Sequence, residues 1–479
     1  MDYKYVVLTN TTIGAFMAIL DANIVLIALP IISADLRASP FEAVWIIMGY
    51  ILVNAALLLT FGRLSDILGR ARLYNLGFAI FTVGSALCSV SYNGISLVVF
   101  RLVQGTGGAL IFANAAALLT DVFPPTERGR ALGFNQVAGT FGSVSGLALG
   151  GILAGSFLGW RSIFWINIPI GTIATLWAYF KLKETSEPRR GEKLDPIGNI
   201  LFGAGLTVSL IGLMLGALLG WTPIYVGAIV VGILCIAGFV LAEMKVRYPM
   251  MDLSLFKIRA FAAGMASNLL ASLARGGLSL VLVFYFQGVL VLDAFKAGLM
   301  LIPFSVAFVT FGPISGYLSD KYGSRGLATA GLLVVAVALF WLGLLPFKDY
   351  NQILLPMIIA GAGGGMFVAP NVASIMNATP AARRGVASGM SSTLINTGFL
   401  LSLGLAFAIM ATSVPVDVLQ QIFSGSSVSI SPVQLDRFVS SLHGLFLLMG
   451  FISLFAAVPA FMTKKPKENY EISGSADVD

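Results

Sequence analysis

Apolar runs long enough to cross a lipid bilayer recur fourteen times along this 479-residue chain. A transmembrane helix needs about 20 mostly apolar residues, and a backbone in lipid must satisfy its hydrogen bonds internally, so each run is predicted to be an α-helix. Only 11% of the residues are charged, whereas soluble domains carry about 25%. We therefore predict an all-α polytopic membrane protein with spans centred near Ile19, Asn54, Thr82, Gly108, Gly142, Ile170, Gly205, Gly232, Ala274, Val306, Val334, Gly361, Gly398 and Gly450.

The positions of the basic residues predict how the chain sits in its membrane. An even number of spans places both termini on one side. The connections on that side carry most of the lysines and arginines, for example Arg63, Arg70 and Arg72 after the second run and Lys464 and Lys465 after the last. Cytoplasmic connections are enriched in these residues. Both termini are therefore expected in the cytoplasm, and the protein in the cell (plasma or inner) membrane.

A charged segment bounded by glycines occurs twice, each time between apolar runs. Residues 62–72 read GRLSDILGRAR and residues 316–326 read GYLSDKYGSRG. A glycine cluster, GTGG at 105–108 and GAGG at 361–364, follows both copies at nearly the same distance. The repeat predicts two six-helix halves, with the substrate site between them at the middle of the membrane. The expected divisions are a first half over 1–185, a linker with two inserted helices over 186–257, a second half over 258–463 and a cytoplasmic tail over 464–479.

Motifs for other classes of function are missing from the sequence. It contains no phosphate-binding loop of the G-x-x-x-x-G-K-S/T type. Cys88 and Cys235 lie inside apolar runs and the one histidine, His443, has no second ligand beside it, so neither a metal nor a cofactor is expected. We attribute the sequence pI of about 9.4 to topology and expect no nucleic-acid partner. A membrane-embedded enzyme or a non-transporting receptor is the alternative from another class, although no nucleophile–base pair supports an enzyme.

Several motifs, taken in order, resemble those of the major facilitator superfamily, in particular its drug:proton antiporters with fourteen spans. Residues 20–30 (LDANIVLIALP) resemble the first-span signature, and residues 62–72 the loop signature. Residues 101–109 (RLVQGTGGA) are similar to the fourth-span motif, and residues 159–169 (GWRSIFWINIP) to the start of the sixth span. The fifth-span antiporter motif usually reads Gly-Pro followed shortly by Gly-Gly, whereas residues 146–151 read GLALGG. This missing proline favours transport without obligatory antiport.

Asp21 lies inside the first span. A charge near the bilayer centre costs at least about 2.5 kcal/mol on insertion scales, so such a carboxylate is a functional hypothesis by default. Desolvation favours its neutral form, which would let it take up a proton on one side and release it on the other. The resemblance implies this proton-coupling role for Asp21, with Arg101 of the fourth span as its modulator. The alternative is a static pair or a structural clamp, since both residues lie at similar depth at 1.5 Å per residue.

The first copy of the repeated segment is predicted to form a gate. Gly62 and Gly69 admit a neighbouring helix. Asp66 is expected to accept hydrogen bonds from Arg70 and from a helix N-terminus of the other half, where negative charge is favoured. Such a latch would stabilise the outward-facing state and break when the protein opens inward. In the second copy Asp320 and Arg325 are expected to form a weaker latch. The alternative is that the arginines only fix topology.

The substrate cavity is expected to include Asn23, Arg275, Gln287 and Asn396. Arg275 lies near the middle of the ninth span, so it must find a partner across the bundle or face water. We predict that it contacts an anionic or polar part of the substrate; the alternative is pairing with Asp21 or with backbone carbonyls. In the fifth span three glycines four residues apart form one smooth face for helix packing and for rocking of the halves: Gly142, Gly146 and Gly150.

These features together predict a secondary active transporter that exports amphiphilic, drug-like compounds in exchange for protons by alternating access. Its expected partners are the small-molecule substrate, protons and membrane lipids, and it is expected to be a monomer. The alternative function is export or facilitation of an anionic or lipid-like solute without obligatory proton antiport. Glu42, near the outer end of the second span, is expected to be a solvated residue at the mouth, with a second proton or cation site as the alternative.

Overall fold

The computed structural model describes residues 2–463 except 125–126, 185–193, 247–248, 346–348, 381–382 and 426–429, with only the backbone at 129, 136 and 320. All regular structure in these ranges is helical, and fourteen helices are long and apolar enough to cross a membrane. The predicted all-α chain of fourteen spans is therefore confirmed, and every predicted centre lies inside a helix. Spans 1 to 14 are, in order, Tyr3–Asp35, Pro40–Leu68, Arg70–Ser89, Gly94–Val122, Arg128–Ala154, Ser162–Lys181, Pro196–Leu219, Pro223–Glu243, Arg259–Val289, Ala294–Tyr322, Ser324–Leu344, Tyr350–Ala378, Arg384–Ser413 and Pro432–Met462.

Side-chain caps fix where several spans begin. Ser39 precedes span 2, where its hydroxyl accepts from the Glu42 backbone N–H while the Glu42 carboxylate accepts from the Ser39 N–H at 2.7 Å. This capping box satisfies backbone donors that the first turn leaves without partners. It also gives Glu42 a structural role at the start of its helix, while its place at the mouth and the alternative of a second proton or cation site stay predictions.

The packing of the helices repeats between the two parts of the chain. Span 1 packs on span 5 as span 9 packs on span 13, and span 2 packs on span 4 as span 10 packs on span 12. Spans 3 and 4 pack together in the same way as spans 11 and 12. The inserted spans 7 and 8 pack against each other, and span 7 also contacts span 2 and span 13. The helices therefore form two similar halves, spans 1–6 and spans 9–14, with span 7 touching both.

Two elements depart from continuous helices. Span 9 is helical over Arg259–Arg275 and again over Leu278–Phe284, is interrupted at Gly276–Gly277, and ends in a π-helical turn at Tyr285–Val289. Between spans 13 and 14, a short helix at Val416–Phe423 buries Val418, Leu419, Ile422 and Phe423, and the Phe423 ring stacks on Phe284 with centroids 3.8 Å apart. Apolar burial accounts for the ordered helix.

The halves approach each other closely on the side away from the termini, which we call the far side. Gln287 of span 9 donates from Nε2 to the Ile27 carbonyl of span 1 at 2.9 Å. Gly298 of span 10 lies against the Leu147 backbone of span 5, and Gly151 of span 5 lies against the Phe295 backbone. Backbone-to-backbone contact of this kind needs residues without side chains. The far side is consequently closed.

Spans 5 and 10 separate toward the terminal side, the side on which spans 1 and 14 have their free ends. There Phe134 and Val137 of span 5 and Tyr317 of span 10 are exposed, the last by 73%. No described atom lies within 4 Å of a Cβ built on Gly133 or Gly312. The two helices that meet at the far side therefore leave an opening at the terminal side.

Candidate functional site

A buried polar network surrounds the carboxylate of Asp21 in span 1. Arg101 of span 4 donates from Nη1 to Asp21 Oδ2 at 2.5 Å, and Gln104, one turn later, donates from Nε2 to Asp21 Oδ1 at 2.9 Å. Asn167 of span 6 adds a third donor to Oδ1, at 2.7 Å. Asp21 is 0% and Arg101 1% exposed. An ionised carboxylate accepts such bonds at both oxygens, so three donors from spans 4 and 6 together hold this charge.

Further contacts hold Arg101 in place. Its Nε donates to the Ile46 carbonyl of span 2 at 3.1 Å, and its guanidinium lies 4.5 Å from the centroid of the Tyr50 ring. Gln104 accepts from Arg101 Nη1 at 2.6 Å and donates to the hydroxyl of Ser85 in span 3 at 2.8 Å. A planar guanidinium suits this combination of forked hydrogen bonds and stacking, which an ammonium cannot reproduce. Spans 1, 2, 3, 4 and 6 therefore meet at one ion pair.

Small residues let the helices approach closely enough for this network. A Cβ built on Gly105 of span 4 would lie 2.9 Å from the Tyr50 carbonyl oxygen, and one built on Gly84 of span 3 would lie 2.6 Å from the Gln104 backbone. Both distances are shorter than real Cβ atoms tolerate. Gly105 of the fourth-span motif and Gly84 of the neighbouring span 3 therefore allow the close helix contacts that set the depth at which Arg101 and Asp21 meet.

Asp21 is the residue through which the network links spans 1, 4 and 6. Asp21 neutralises the Arg101 charge, and the bonds to Asp21 come from two residues of span 4, Arg101 and Gln104, and one residue of span 6, Asn167. The geometry shows the ion pair between Asp21 and Arg101. The proton-coupling role of Asp21 stays a prediction.

Sequence reasoning missed two members of this network, Gln104 and Asn167. Each lies inside a motif singled out above, residues 101–109 and residues 159–169. An amide side chain in an apolar run was the available signal, because a buried polar group requires a partner.

The repeated charged segment holds a cluster of ion pairs on the terminal side. Arg70 donates to Asp66 Oδ1 from Nε at 2.9 Å and to Asp121 of span 4 from Nη1 at 2.6 Å. Glu184 accepts from the Arg70 backbone N–H at 2.8 Å and so caps span 3, while Gly69 has the positive φ of 109° that a non-glycine residue rarely adopts. These contacts all lie within the first half, and no described atom approaches a Cβ built on Gly62.

In the second copy, the guanidinium of Arg325 lies 3.8 Å from the centroid of the Phe461 ring of span 14. The side chain of Asp320 lies outside the described residues, so the predicted Asp320–Arg325 latch stays a prediction. The Asp66 latch onto the other half likewise stays a prediction for a state closed at the terminal side.

The four residues predicted for the substrate cavity are spread over both halves. Asn23 donates to the Ile19 carbonyl of its own helix at 2.9 Å, and Asn396 is half-buried in span 13. Gln287 is used in the far-side contact with Ile27 and borders a cleft of about 540 Å³ there. Their common role in a substrate cavity stays a prediction.

Arg275 lies in the middle of span 9, next to its break at Gly276–Gly277. Its Nε donates to the Ala271 carbonyl at 3.3 Å and its guanidinium lies 5.3 Å from the Phe308 ring centroid. It makes no ion pair with a carboxylate among the described residues, and it does not pair with Asp21, which Arg101 occupies. Among the residues that the structure describes, an aromatic ring and a carbonyl therefore hold this half-buried guanidinium next to the break in span 9.

The glycines of span 5 form the smooth face predicted from their spacing. Gly142, Gly146 and Gly150 lie against span 1, where added Cβ atoms would be 2.6, 2.7 and 2.8 Å from the carbonyl oxygens of Phe16, Leu20 and Ile24 respectively. Gly151 points the other way, toward span 10 of the second half. Span 5 is one continuous helix. The absence of the family's proline fits this, because proline interrupts the hydrogen bonds of a helix. The adjacent residues Gly150 and Gly151 therefore pack span 5 against span 1 of its own half and against span 10 of the other half.

Among the described residues, no group of three or more His, Cys, Asp and Glu side chains is placed to hold a metal ion.

A family model described as the Major Facilitator Superfamily matches residues 11–197 and 264–477. Among curated proteins, the chain is 34% identical over 408 residues to the riboflavin transporter RibZ of Clostridioides difficile, covering 85% of this chain and 88% of that one. It is 30% identical over 407 residues to the multidrug resistance protein Stp of Mycobacterium tuberculosis, covering 84% and 75%. The tetracenomycin C resistance and export protein of Streptomyces glaucescens is 30% identical over 410 residues, covering 85% and 76%.

Solved structures agree with the fold. A D-xylose–proton symporter superposes with a TM-score of 0.65 at 16% identity, covering 98% of this chain and 99% of that chain. A bacterial homologue of the human lysosomal transporter Spinster superposes with a TM-score of 0.66 at 17% identity, covering 97% of each chain.

Proposed function

The chain belongs to the major facilitator superfamily and is a multi-pass membrane transporter, not an enzyme, and from this premise we propose that it exports amphiphilic compounds in exchange for protons. The observation that carries the proposal is the buried Asp21 carboxylate, held by three donors from spans 4 and 6. An intramembrane ionisable group with a named partner is the expected form of a proton relay. Two relatives with drug-resistance names support the substrate class.

In the proposed cycle, the proton and Arg101 alternate at Asp21. A proton arriving from the far side neutralises Asp21 and releases Arg101, which loosens span 1 from span 4. Deprotonation toward the terminal side restores the ion pair. In this proposal, the closed far side and the separated terminal ends of spans 5 and 10 correspond to the state that is open on the terminal side. In the opposite state, Asp66 would turn from Arg70 toward the second half and close the terminal side.

The proposal includes where the protein works. It acts as a monomer in the cell membrane with both termini in the cytoplasm, because the basic connections lie on the terminal side. Substrate then enters from the cytoplasmic side, which is the open side of the structure, and leaves at the far side.

Proton release from liposomes tests the coupling. Purified protein is reconstituted in vesicles with an acid interior and a pH-sensitive dye, and lipophilic cations, neutral amphiphiles and organic anions are added in turn. Wild type is expected to release protons with at least one class of compound, and Asp21→Asn to release none. Asp35→Asn is the matched control, since Asp35 lies in the same span but bonds to Trp160 at its far-side end. Tracer flux without proton movement in wild type would refute the coupling.

A second candidate is transport of an anionic or lipid-like solute, and Arg275 is the observation that favours it. Its guanidinium has no carboxylate partner among the described residues, so an anionic group of a substrate would supply the missing charge. Arg275→Gln should then lower flux of organic anions while leaving that of lipophilic cations unchanged. Equal flux of every compound by the variant and the wild type would contradict contact between Arg275 and the substrate.

A further inference from the structure

Two buried carboxylates lie where the inserted spans begin and end, on the terminal side. Asp195 directly precedes span 7 and Glu243 is the last residue of span 8. They are only 6% and 3% exposed. The Asp21 network does not include them, and acidic side chains are almost never buried so fully without partners.

Each carboxylate uses one oxygen and leaves the other without a partner. Asp195 Oδ1 accepts from the Gly198 N–H at 2.9 Å, and Glu243 Oε2 accepts from the Met251 N–H at 3.0 Å. Asp195 Oδ2 and Glu243 Oε1 are buried and have no hydrogen-bond partner among the described residues. A buried acceptor without a donor is unfavourable by about 1–3 kcal/mol, more when it is charged.

The two free oxygens border the same small space. A Cβ built on Gly198 would lie 2.5 Å from Asp195 Oδ2 and 2.9 Å from Glu243 Oε1. The glycine therefore leaves room between the carboxylates that any other residue would fill. Asp195 Oδ2 and Glu243 Oε1 therefore lack a hydrogen-bond donor among the described residues.

The charges around the pair favour a proton over a metal ion. The charged groups that act on Glu243 are Asp195 and Arg63, the latter from the repeated segment at the end of span 2. One guanidinium thus faces two carboxylates, and like charges at close range disfavour ionisation of both. Calcium requires six or more oxygen ligands, but no third acidic, cysteine or histidine side chain joins the pair among the described residues.

We propose that Asp195 and Glu243 share one proton at neutral pH and form a second protonatable site, located where the inserted spans meet the first half. Span 7 is fixed to span 2 at this level, because Asn199 Nδ2 donates to the Ala56 carbonyl at 2.8 Å and to the Thr60 hydroxyl at 2.7 Å. Loss of the proton places a second negative charge beside Arg63. The inserted helices thereby sense pH on the terminal side and act on the segment that contains Asp66 and Arg70.

Infrared spectroscopy of the full chain in liposomes tests the shared proton directly. A protonated carboxyl buried in protein gives a C=O stretching band that an ionised carboxylate lacks. Wild type at neutral pH is expected to show this band, and alkaline buffer to remove it. Both Asp195→Asn and Glu243→Gln should abolish the band, because each leaves a single carboxylate next to Arg63. Both substitutions retain the oxygen that caps span 7 or accepts from Met251.

Comparison of the two variants separates a shared proton from a lone buried acid. If Glu243→Gln removes the band but Asp195→Asn keeps it, Glu243 holds the proton alone and the proposal is wrong. A band that persists in both variants belongs elsewhere, and no band in wild type means that both groups are ionised; either result overturns the site. Asp21→Asn should keep the band.

Replacing sodium and potassium by choline tests whether an inorganic cation, in place of a proton, occupies the space between the two carboxylates. The band is expected to be the same in all three salts. A band that appears only in choline would show that an inorganic cation occupies the space, which overturns the proton assignment. None of these spectra depends on transport, so failure of proton-coupled export would not be confused with failure of this site.

Discussion

Replacement of Gly151 by alanine tests whether backbone contact keeps the far side closed. The added Cβ would lie 2.7 Å from the Ala294 carbonyl oxygen and even closer to Phe295 Cα, below the 3.0 Å that real Cβ atoms observe. Overpacking of this kind costs about 1–3 kcal/mol, and an energy of that size changes a two-state population by about 5–150-fold. Because the clash exists only while the halves touch, the variant should lose the far-side-closed state by a factor in this range.

Two other glycines of the same helix provide matched controls. Gly150 is the neighbouring residue, but it faces Ile24 within the first half, so Gly150→Ala should lower the stability of the fold without moving the halves. Gly133 has no described atom within 4 Å of its built Cβ. Gly133→Ala should therefore leave the closed population unchanged and stabilise the helix by about 0.5–1 kcal/mol.

Distances between spin labels report the population. Labels at Tyr92 and Val433, which lie on the far side of the two halves and are 77% and 63% exposed, are attached after Cys88 and Cys235 are replaced by serine. Double electron–electron resonance in liposomes should show the short distance in wild type and in Gly133→Ala, and an added longer distance in Gly151→Ala. A Gly151→Ala distribution identical to that of Gly133→Ala would refute the argument.

Three further predictions concern single side chains. Arg101→Lys keeps the charge but loses the forked contacts, and we expect substrate-driven proton release to fall about tenfold, the effect of roughly 1.4 kcal/mol; an unchanged initial rate would contradict this. Phe423→Ala loses the stack on Phe284 and should destabilise the protein by about 3–5 kcal/mol in thermal unfolding, whereas Phe157→Ala, at a side chain 98% exposed, should change nothing. The hydrogen bond from the Lys296 backbone N–H lowers the pKa of Asp293, which caps span 10. A carboxyl with a lowered folded-state pKa stabilises at neutral pH and loses this effect as pH falls through that pKa. Asp293→Ala should therefore reduce the melting temperature at pH 7, because it removes a helix cap that contributes about 1 kcal/mol to stability. The difference in melting temperature from wild type should shrink below about pH 4. A difference that stays constant with pH would argue against the cap.

The fold was predictable because its main determinants are local in the sequence. Twenty apolar residues in a row specify a span whatever surrounds them, and the repeat at residues 62–72 and 316–326 fixed the pairing of the halves. The meeting of Asp21 and Arg101 also followed from counting residues along two helices. Gly142, Gly146 and Gly150 formed the expected face for the same reason, since a spacing of four keeps residues on one side of a helix.

The remaining features depend on neighbours that spacing does not identify. Asn167 is far along the chain from Asp21, and only the packing of span 6 brings its amide to the carboxylate. The contact of Gln287 with the Ile27 carbonyl could not be predicted, because the position of span 9 relative to span 1 decides its partner. The burial of Asp195 and Glu243 at the ends of the inserted helices is visible only in three dimensions.

Span 7 makes the two flanks of the transporter unequal. It contacts span 2 of one half and span 13 of the other, whereas spans 5 and 10 on the other flank separate toward the terminal side. The membrane on the terminal side thus meets a helical wall on one flank and an opening on the other. Any movement of one half against the other must also carry or slide past span 7, because that span contacts both halves.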